Sequence, residues 1–441
     1  MRPRKQNDMV PGVQSRLFGV YLKRLQGAVA GLHEQTIVGI DDSIAQWKST
    51  WTQAYDELFD VSQKTNLLEY GILLGRLAET YSSHPVAEEI LDRLAESAIR
   101  REAWIPDPSS ILITAGEFNR RRGNLNSSEA RFNEALTILE HDLATREERK
   151  QTHWSLGRLF YEFSYLHRLR GDACAARAAL ERSEIECSTA KDEVGVEIAR
   201  TLLAVLSYEE GFADLAVQEL SGCLSRLENL VDNPAVRSAN RSGFARRWVI
   251  NARLHLSLAH VALGRYKAAW QLLRLSRADP SIAGYATAKR IEAQLFLAEG
   301  QLKPALEAIG ASWDAIEQPP GDLMSTELAA ATVAISGVIH GLEESEEGRK
   351  SAISCFQQAC ALPSDLHNRR AQAWAWAGCA ILARKAGDKI ACLTAIHKGL
   401  AAVQRSGAPV RAFLLKLLRS CYSEEEGPTL NDLIELVCRS G

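Results

Sequence analysis

Apolar residues recur three and four positions apart along almost the whole chain. That period matches the 3.6-residue turn of an α-helix and not the two-residue alternation of a strand. Only 13 prolines and few β-branched runs interrupt it in 441 residues, so the expected fold is all-α. A longer period is superimposed: an apolar helix, a glycine, a small residue five later, a large apolar residue four beyond, and another small residue three further on. It recurs in GNLNSSEARFNEAL from Gly123, GDACAARAALERSEI from Gly171, GFADLAVQELSGCL from Gly211, GRYKAAWQLLRLS from Gly264, GQLKPALEAIGAS from Gly300 and GDKIACLTAIHKGL from Gly387. GRKSAISCFQQACAL from Gly348 keeps the second helix with a shifted turn, and a weaker copy, LLGRLAETYSSHPVAEEILDRLAESA, starts near Leu73.

The unit behind this pattern is a helical hairpin. Glycine ends the first helix because it enters the left-handed conformation cheaply, and the small residues let the second helix pack closely on the first. Each hairpin leaves an apolar face that only its neighbour covers, so the copies are expected to stack into a solenoid.

These positions resemble the tetratricopeptide repeat family. Its small first-helix residue corresponds to Gly75, Gly116, Ser164, Ala204, Ser257, Ala293 and Ala380, and its small second-helix residue to Ala87, Ser128, Ala176, Ala216, Ala269, Ala305, Ala352 and Cys392. The bulky residue four later corresponds to Leu91, Phe132, Leu180, Leu220, Leu273, Ile309, Phe356 and Ile396, and a closing proline to Pro280. Successive glycines from Gly123 lie 48, 40, 53, 36, 48 and 39 residues apart, against a family period of 34, so longer helices and inserted loops are expected. The resemblance implies a right-handed superhelical solenoid of about seven to eight hairpins over residues 66–405. Residues 406–441, with VRAFLLKLLRSCY and LNDLIELVCR, are expected to form helices that cap its last apolar face.

Residues 1–65 do not fit the repeat. They carry an order similar to a degenerate Cro/repressor helix-turn-helix, with Leu32, Gln35, Gly39, Ile40, Ser43, Ile44 and Trp47 at the matching places. The stretch between Gln35 and Gly39 is too short for the usual second helix, and Asp41 and Asp42 would face phosphates. A helical cap, with Trp47, Trp51, Tyr55 and Leu58 as one apolar stripe, is the reading taken for this segment. A transcriptional regulator with a repeat-based sensor is the alternative.

In tetratricopeptide repeats the first helices line a concave groove. Carrying over the family's exposed positions gives Arg120, Arg121, Arg158, Tyr161, Tyr165, Arg168, Arg290, Trp374, Arg384 and Lys385 as a candidate partner-binding surface. Arginines interleaved with aromatic rings suit an acidic protein or peptide segment, because guanidinium pairs carboxylates bidentately.

Charge adds a second candidate. The net charge is -3, so no global field draws the chain to nucleic acid or anionic lipid. Between Asp232 and Asp279, however, there is no acid, while Arg237, Arg241, Arg246, Arg247, Arg253, Arg265, Lys267, Arg274 and Arg277 form a basic segment. An acidic protein surface is the first-choice partner for it, nucleic acid the second, and the terminal caps leave self-association open.

Catalytic signals are missing: no phosphate loop, no dinucleotide fingerprint, no HExxH, no GxSxG and no paired metal-ligand spacing occurs, and no cofactor is implied. The nine cysteines have neither CxxC nor zinc spacing and read as reduced, mostly buried thiols of a cytoplasmic protein. No run of about 18 apolar residues suggests a membrane span. The sequence therefore points to a non-enzymatic scaffold, adaptor or sensor that recognises another protein.

Overall fold

A computed structural model of the chain describes Lys48 and residues 84–100, 107–145, 149–238, 242–276, 282–316, 323–343, 345–361, 370–403, 408–422 and 426–440. Apart from Lys48, the helix-turn-helix candidate and the proposed N-terminal cap lie outside them, as do Arg241, Arg277 and Pro280. The described residues are helical and fall into two compact units. One runs to Asn119 and includes Asn124–Thr145; the other holds Arg120–Gly123 and everything described from residue 149 on.

The first unit contains α1 (His84–Ile99), α2 (Pro108–Arg121, whose last two residues belong to the second unit) and α3 (Leu125–Thr145). The second is a series of hairpins: α4 (Lys150–Leu169) with α5 (Ala173–Thr189), and α6 (Glu193–Glu209) with α7 (Ala213–Asp232). The short α8 (Pro234–Ser238) precedes α9 (Ser242–Ala262) with α10 (Tyr266–Ser276), and α11 (Ile282–Ala298) pairs with α12 (Leu302–Asp314). The series ends with α13 (Leu323–Gly341) and α14 (Glu346–Ala361), α15 (Arg370–Lys385) and α16 (Lys389–Ala402), then α17 (Ala408–Ser420) and α18 (Leu430–Ser440).

The glycines do what the repeat demands of them. Gly123, Gly171, Gly211, Gly264, Gly300 and Gly387 all have positive φ, between 68° and 97°. At Gly171 the glycine N–H donates to the Arg168 carbonyl and the next N–H, of Asp172, reaches back to His167; the other five turns repeat this pair. Such Schellman closures satisfy carbonyls that a helix end otherwise leaves bare. Asp172 and Asp388 then cap the following helices, accepting from the N–H of Ala175 and Ala391 at 2.9 Å. Gly348 differs: it lies inside α14, and a Cβ there would stand 2.7 Å from the His340 carbonyl oxygen, so close approach rather than positive φ selects glycine.

The small and bulky positions make the core. Ser164, Ala204, Ser257, Ala293 and Ala380 on first helices are fully buried, as are Ser128, Ala176, Ala216, Ala269, Ala305 and Ala352 on second helices. The bulky residues from Leu91 to Ile396 are buried as well. Where the bulky residue is phenylalanine, the facing first helix carries glycine. A Cβ on Gly116 would lie 2.3 Å from the Phe132 ring, and one on Gly378 or Gly337 would lie 2.3 or 2.6 Å from Phe356. Helix separation is thus held by volume compensation at close packing.

The C-terminal helices depart from the expected cap. α17 packs on α15 and α16 and so extends the stack, as a cap would. α18 instead packs on the first helices of four successive hairpins, α9, α11, α13 and α15, as well as on α17.

Candidate partner-binding face

The first helices offer one surface with two parts. At its N-terminal part, Arg158, Tyr161, Glu162, Tyr165 and Arg168 share a face of α4 through spacings of three, four, seven and ten residues. Arg120 joins them from the end of α2, donating from Nε and Nη2 to Glu162 Oε2 at 3.2 and 2.9 Å. Both side chains of this pair are almost wholly buried. Arg168 donates to Glu209 Oε1 of α6 at 2.7 Å. The guanidiniums of Arg120 and Arg168 lie 4.8 and 5.4 Å from the centre of the Tyr165 ring. Tyr161 meets Tyr165 edge-on at 5.1 Å and Trp248 of α9 at 6.2 Å. Burial pushes the Tyr161 phenol well above its ordinary pKa, so it stays protonated.

The structure thus brings Arg120, Tyr161, Tyr165 and Arg168 together, but the carboxylates that pair the two arginines come from this chain, not from a partner. Glu209 was missed in the sequence because the pair spans 41 residues and two hairpins. Arg121 and Arg158 are half-buried on the same helices.

The other four candidates lie on two of the helices that α18 packs against, Arg290 on α11 and Trp374, Arg384 and Lys385 on α15. Arg290 is buried, Arg384 half-buried and Lys385 exposed. Trp374 is not the open contact residue the family spacing implied: it is only 2 % exposed and sits in the core cluster that includes Leu430, Leu433, Leu436 and Val437 of α18. Those four form one stripe, while Asn431, Asp432 and Glu435 face solvent. Gln294, fully buried on α11, donates from Nε2 to the Val437 carbonyl at 3.0 Å. Leu430 closes on Gly341, where a Cβ would stand 2.9 Å from its Cδ1. Thr429 and Asp432 cap the helix reciprocally: the Thr429 N–H and hydroxyl both donate to Asp432 Oδ2 at 2.7 Å, and the Asp432 N–H returns to Thr429 Oγ1. These bonds hold the Asp432 carboxyl below its usual range.

The basic segment is partly neutralised. Arg253 donates to Glu228 Oε1 at 2.7 Å and to the Leu275 carbonyl at 3.3 Å; Arg265 donates to Asp214 Oδ1 at 2.9 Å. Both acids lie on α7, so the segment without acids borrows them from the preceding hairpin. Arg246, Arg247, Lys267 and Arg274 are exposed and make no ion pair among the described residues. The Arg237 side chain, like Arg241 and Arg277, is outside the described set. Among the described residues no group of histidine, cysteine and acidic side chains is placed to hold a metal, and no helix is long and apolar enough to cross a membrane.

No protein-family model and no curated protein matches the sequence. Solved structures do match. A Rap protein complexed with competence and sporulation factor is 11% identical, with 91% of this chain and 99% of that chain covered and a TM-score of 0.50. NprR in complex with its cognate peptide NprX is 11% identical over 80% and 98% of the two chains, with a TM-score of 0.49. A tetratricopeptide repeat protein from Parabacteroides merdae is 17% identical over 67% and 93%, with a TM-score of 0.40. At such identities likeness speaks for the fold alone. Together with the hairpin turns and the small and bulky core positions, it makes the described helices a tetratricopeptide-like repeat fold.

Proposed function

We propose that the protein is a non-enzymatic, cytoplasmic scaffold, adaptor or sensor subunit that binds a protein or peptide partner on its first-helix face, with the basic surface of α9 and α10 as a second contact. One observation carries this reading: the face formed by α9, α11, α13 and α15 already holds an eleven-residue amphipathic helix along its length. A surface that seats a short helix is one that recognises peptide segments. The exposed cations Arg246, Arg247, Lys267 and Arg274, which make no ion pair among the described residues, favour an acidic partner, because rim charges steer association and choose among partners. A Rap protein with the same kind of fold was solved in complex with competence and sporulation factor, which agrees with this reading.

The test is quantitative affinity capture with the full chain, compared with Arg158→Glu/Arg168→Glu and with Arg246→Glu/Arg247→Glu/Arg274→Glu. A partner recovered in stoichiometric amount by the wild-type chain, and depleted with one of the two variant sets, supports the proposal and locates the contact. A partner captured equally by all three chains removes both surfaces. Recovery of none removes the scaffold reading.

A further inference from the structure

We infer that α18 is a built-in occupant of a binding site for an amphipathic helix, and that a partner helix of the same chemistry binds this protein by displacing it. The inference rests on the partner-binding reading above and adds the site, the class of partner and the way access is controlled.

The anchoring of α18 is that of a ligand. Its buried residues form one stripe at positions i, i+3, i+6 and i+7, namely Leu430, Leu433, Leu436 and Val437, and they cross four hairpins rather than completing one. Gln294 supports the same view. A fully buried amide amid apolar neighbours is costly unless bonded, and its partner is the Val437 carbonyl, one of the last four of α18. A backbone carbonyl in the last turn has two lone pairs and can accept from a donor outside its own helix, so any helix ending at this point would offer the same group whatever its sequence. The groove therefore reads an apolar stripe and a helix C-terminus, features of a class rather than of one segment.

The fit of α18 is also incomplete. A cleft of about 500 Å³ remains between it and the α9/α10 hairpin, bounded by Val261, Ala262, Tyr266, Ala298, Ile434 and Glu435. The cleft is open to solvent, with the exposed Asn431 and Glu435 on its rim, so α18 does not fill the groove on this side. A partner helix with a larger apolar residue at the Ile434 position would fill that cleft and gain over α18. Release is feasible because α18 has only eleven residues, below the length that holds a helix alone in water, so it melts when it leaves the groove. While seated, it competes at the effective concentration of a tethered segment, in the millimolar range for a short linker. A partner must therefore bind much better than α18 does.

The experiment uses the full chain and a fluorescein-labelled synthetic peptide of residues 426–440 carrying Cys438→Ser. Wild type is compared with the full-length variant Leu433→Asp/Val437→Asp, whose own α18 cannot seat. The variant is expected to bind the peptide one to one, at least about tenfold more tightly than wild type, because the tethered competitor is gone. A peptide carrying the same two aspartates should not bind, and Gln294→Ala added to the variant should weaken binding. A folded variant that binds the peptide no better than wild type overturns the inference. Should the aspartate variant fail to fold, Thr429→Ala/Asp432→Ala removes only the cap of α18. It is expected to raise both peptide binding and amide hydrogen exchange within α18, and no change in either overturns the inference. A variant that is dimeric by light scattering at the working concentration assigns the groove to a second copy and overturns the partner-helix reading. Failure of the peptide experiment leaves the α4 network and the basic surface as candidate contacts, which the capture experiment tests separately.

Discussion

Glu162 and Arg120 bring two opposite charges into a place where each is almost wholly cut off from water. Desolvating such a pair costs most of what their attraction returns, so the net worth of the intact bridge is small, whereas removing one member strands the other. Glu162→Ala is accordingly expected to lower unfolding free energy by about 3–5 kcal/mol in denaturant titrations, while Arg120→Met/Glu162→Leu recovers most of the loss. A double variant no more stable than Glu162→Ala would show that the network of Tyr165, Arg168 and Glu209 matters more than the buried charge. The cysteines follow the same dielectric logic with opposite sign. Burial, reinforced by Glu197, pushes the Cys223 thiol up to about 11, and burial beside Cys421 pushes Cys392 to about 12. A raised thiol pKa favours the neutral form, and only the thiolate attacks an alkylating agent. Iodoacetamide at pH 8 should therefore modify the exposed Cys174 well before Cys223 and Cys392, as read by peptide mapping, and a rise to pH 9.5 should narrow the gap little while the chain stays folded. Early labelling of Cys392 would mean that α16 opens. The expectation of mostly buried thiols holds for Cys187, Cys223 and Cys392, while Cys355, Cys360, Cys379 and Cys421 are half-buried and Cys174 is exposed.

Between one helix and the next, the pairing of phenylalanine with glycine makes a sharp test, since Phe356 is held between Gly337 of α13 and Gly378 of α15. Gly378→Ala is expected to cost about 1–3 kcal/mol through overpacking, despite the better helix propensity of alanine. Combining it with Phe356→Leu should cost less than the sum of the two changes, measured by thermal melts; strict additivity would mean that the ring turns aside freely. This compensation was written in the sequence, since Gly116 and Phe132 stand at the repeat's small and bulky positions, but Gly337 escaped notice because the turn after α13 is shifted. The hairpins themselves were legible for a local reason. A positive φ selects glycine within a few residues of the helix that it ends, and the six glycines that opened the clearest copies are, among the described residues, the six with positive φ. The site was less legible because its pairings are not local. Arg168 meets Glu209 41 residues away, and Gln294 meets Val437 143 residues away. An amphipathic stripe such as that of Leu430, Leu433 and Val437 declares that one face will be covered, yet says nothing of what covers it. That is why α18 read as a cap and Trp374 as an open contact.

Across the second unit, α18 also changes how stability is distributed. Stacked hairpins are coupled mainly to their nearest neighbours, so such arrays loosen from weak points and unfold in stages. A helix that touches α9, α11, α13 and α15 couples successive hairpins beyond nearest neighbours, and it does so only over residues 242–402. With α18 seated, those four hairpins should unfold as one cooperative block, whereas α4 to α7 remain governed by neighbour contacts and by the arginine–glutamate pairs. Releasing α18 removes the burial of four apolar side chains, each worth about 1.5–3 kcal/mol before the entropy of ordering the helix is charged against it. In hydrogen exchange across a denaturant series, the full-length Leu433→Asp/Val437→Asp chain should therefore show α9 to α16 opening at lower denaturant and over a broader range than wild type. The transition of α4 to α7 should move little. Parallel shifts in both regions would mean that α18 stabilises the unit globally and not as a local tie, and an unchanged transition in α9 to α16 would mean that it carries no stabilising load there at all. The expected split has a functional corollary: the hairpins that loosen when α18 leaves are the ones whose first helices would receive a partner, so seating a partner helix should restore their cooperative transition.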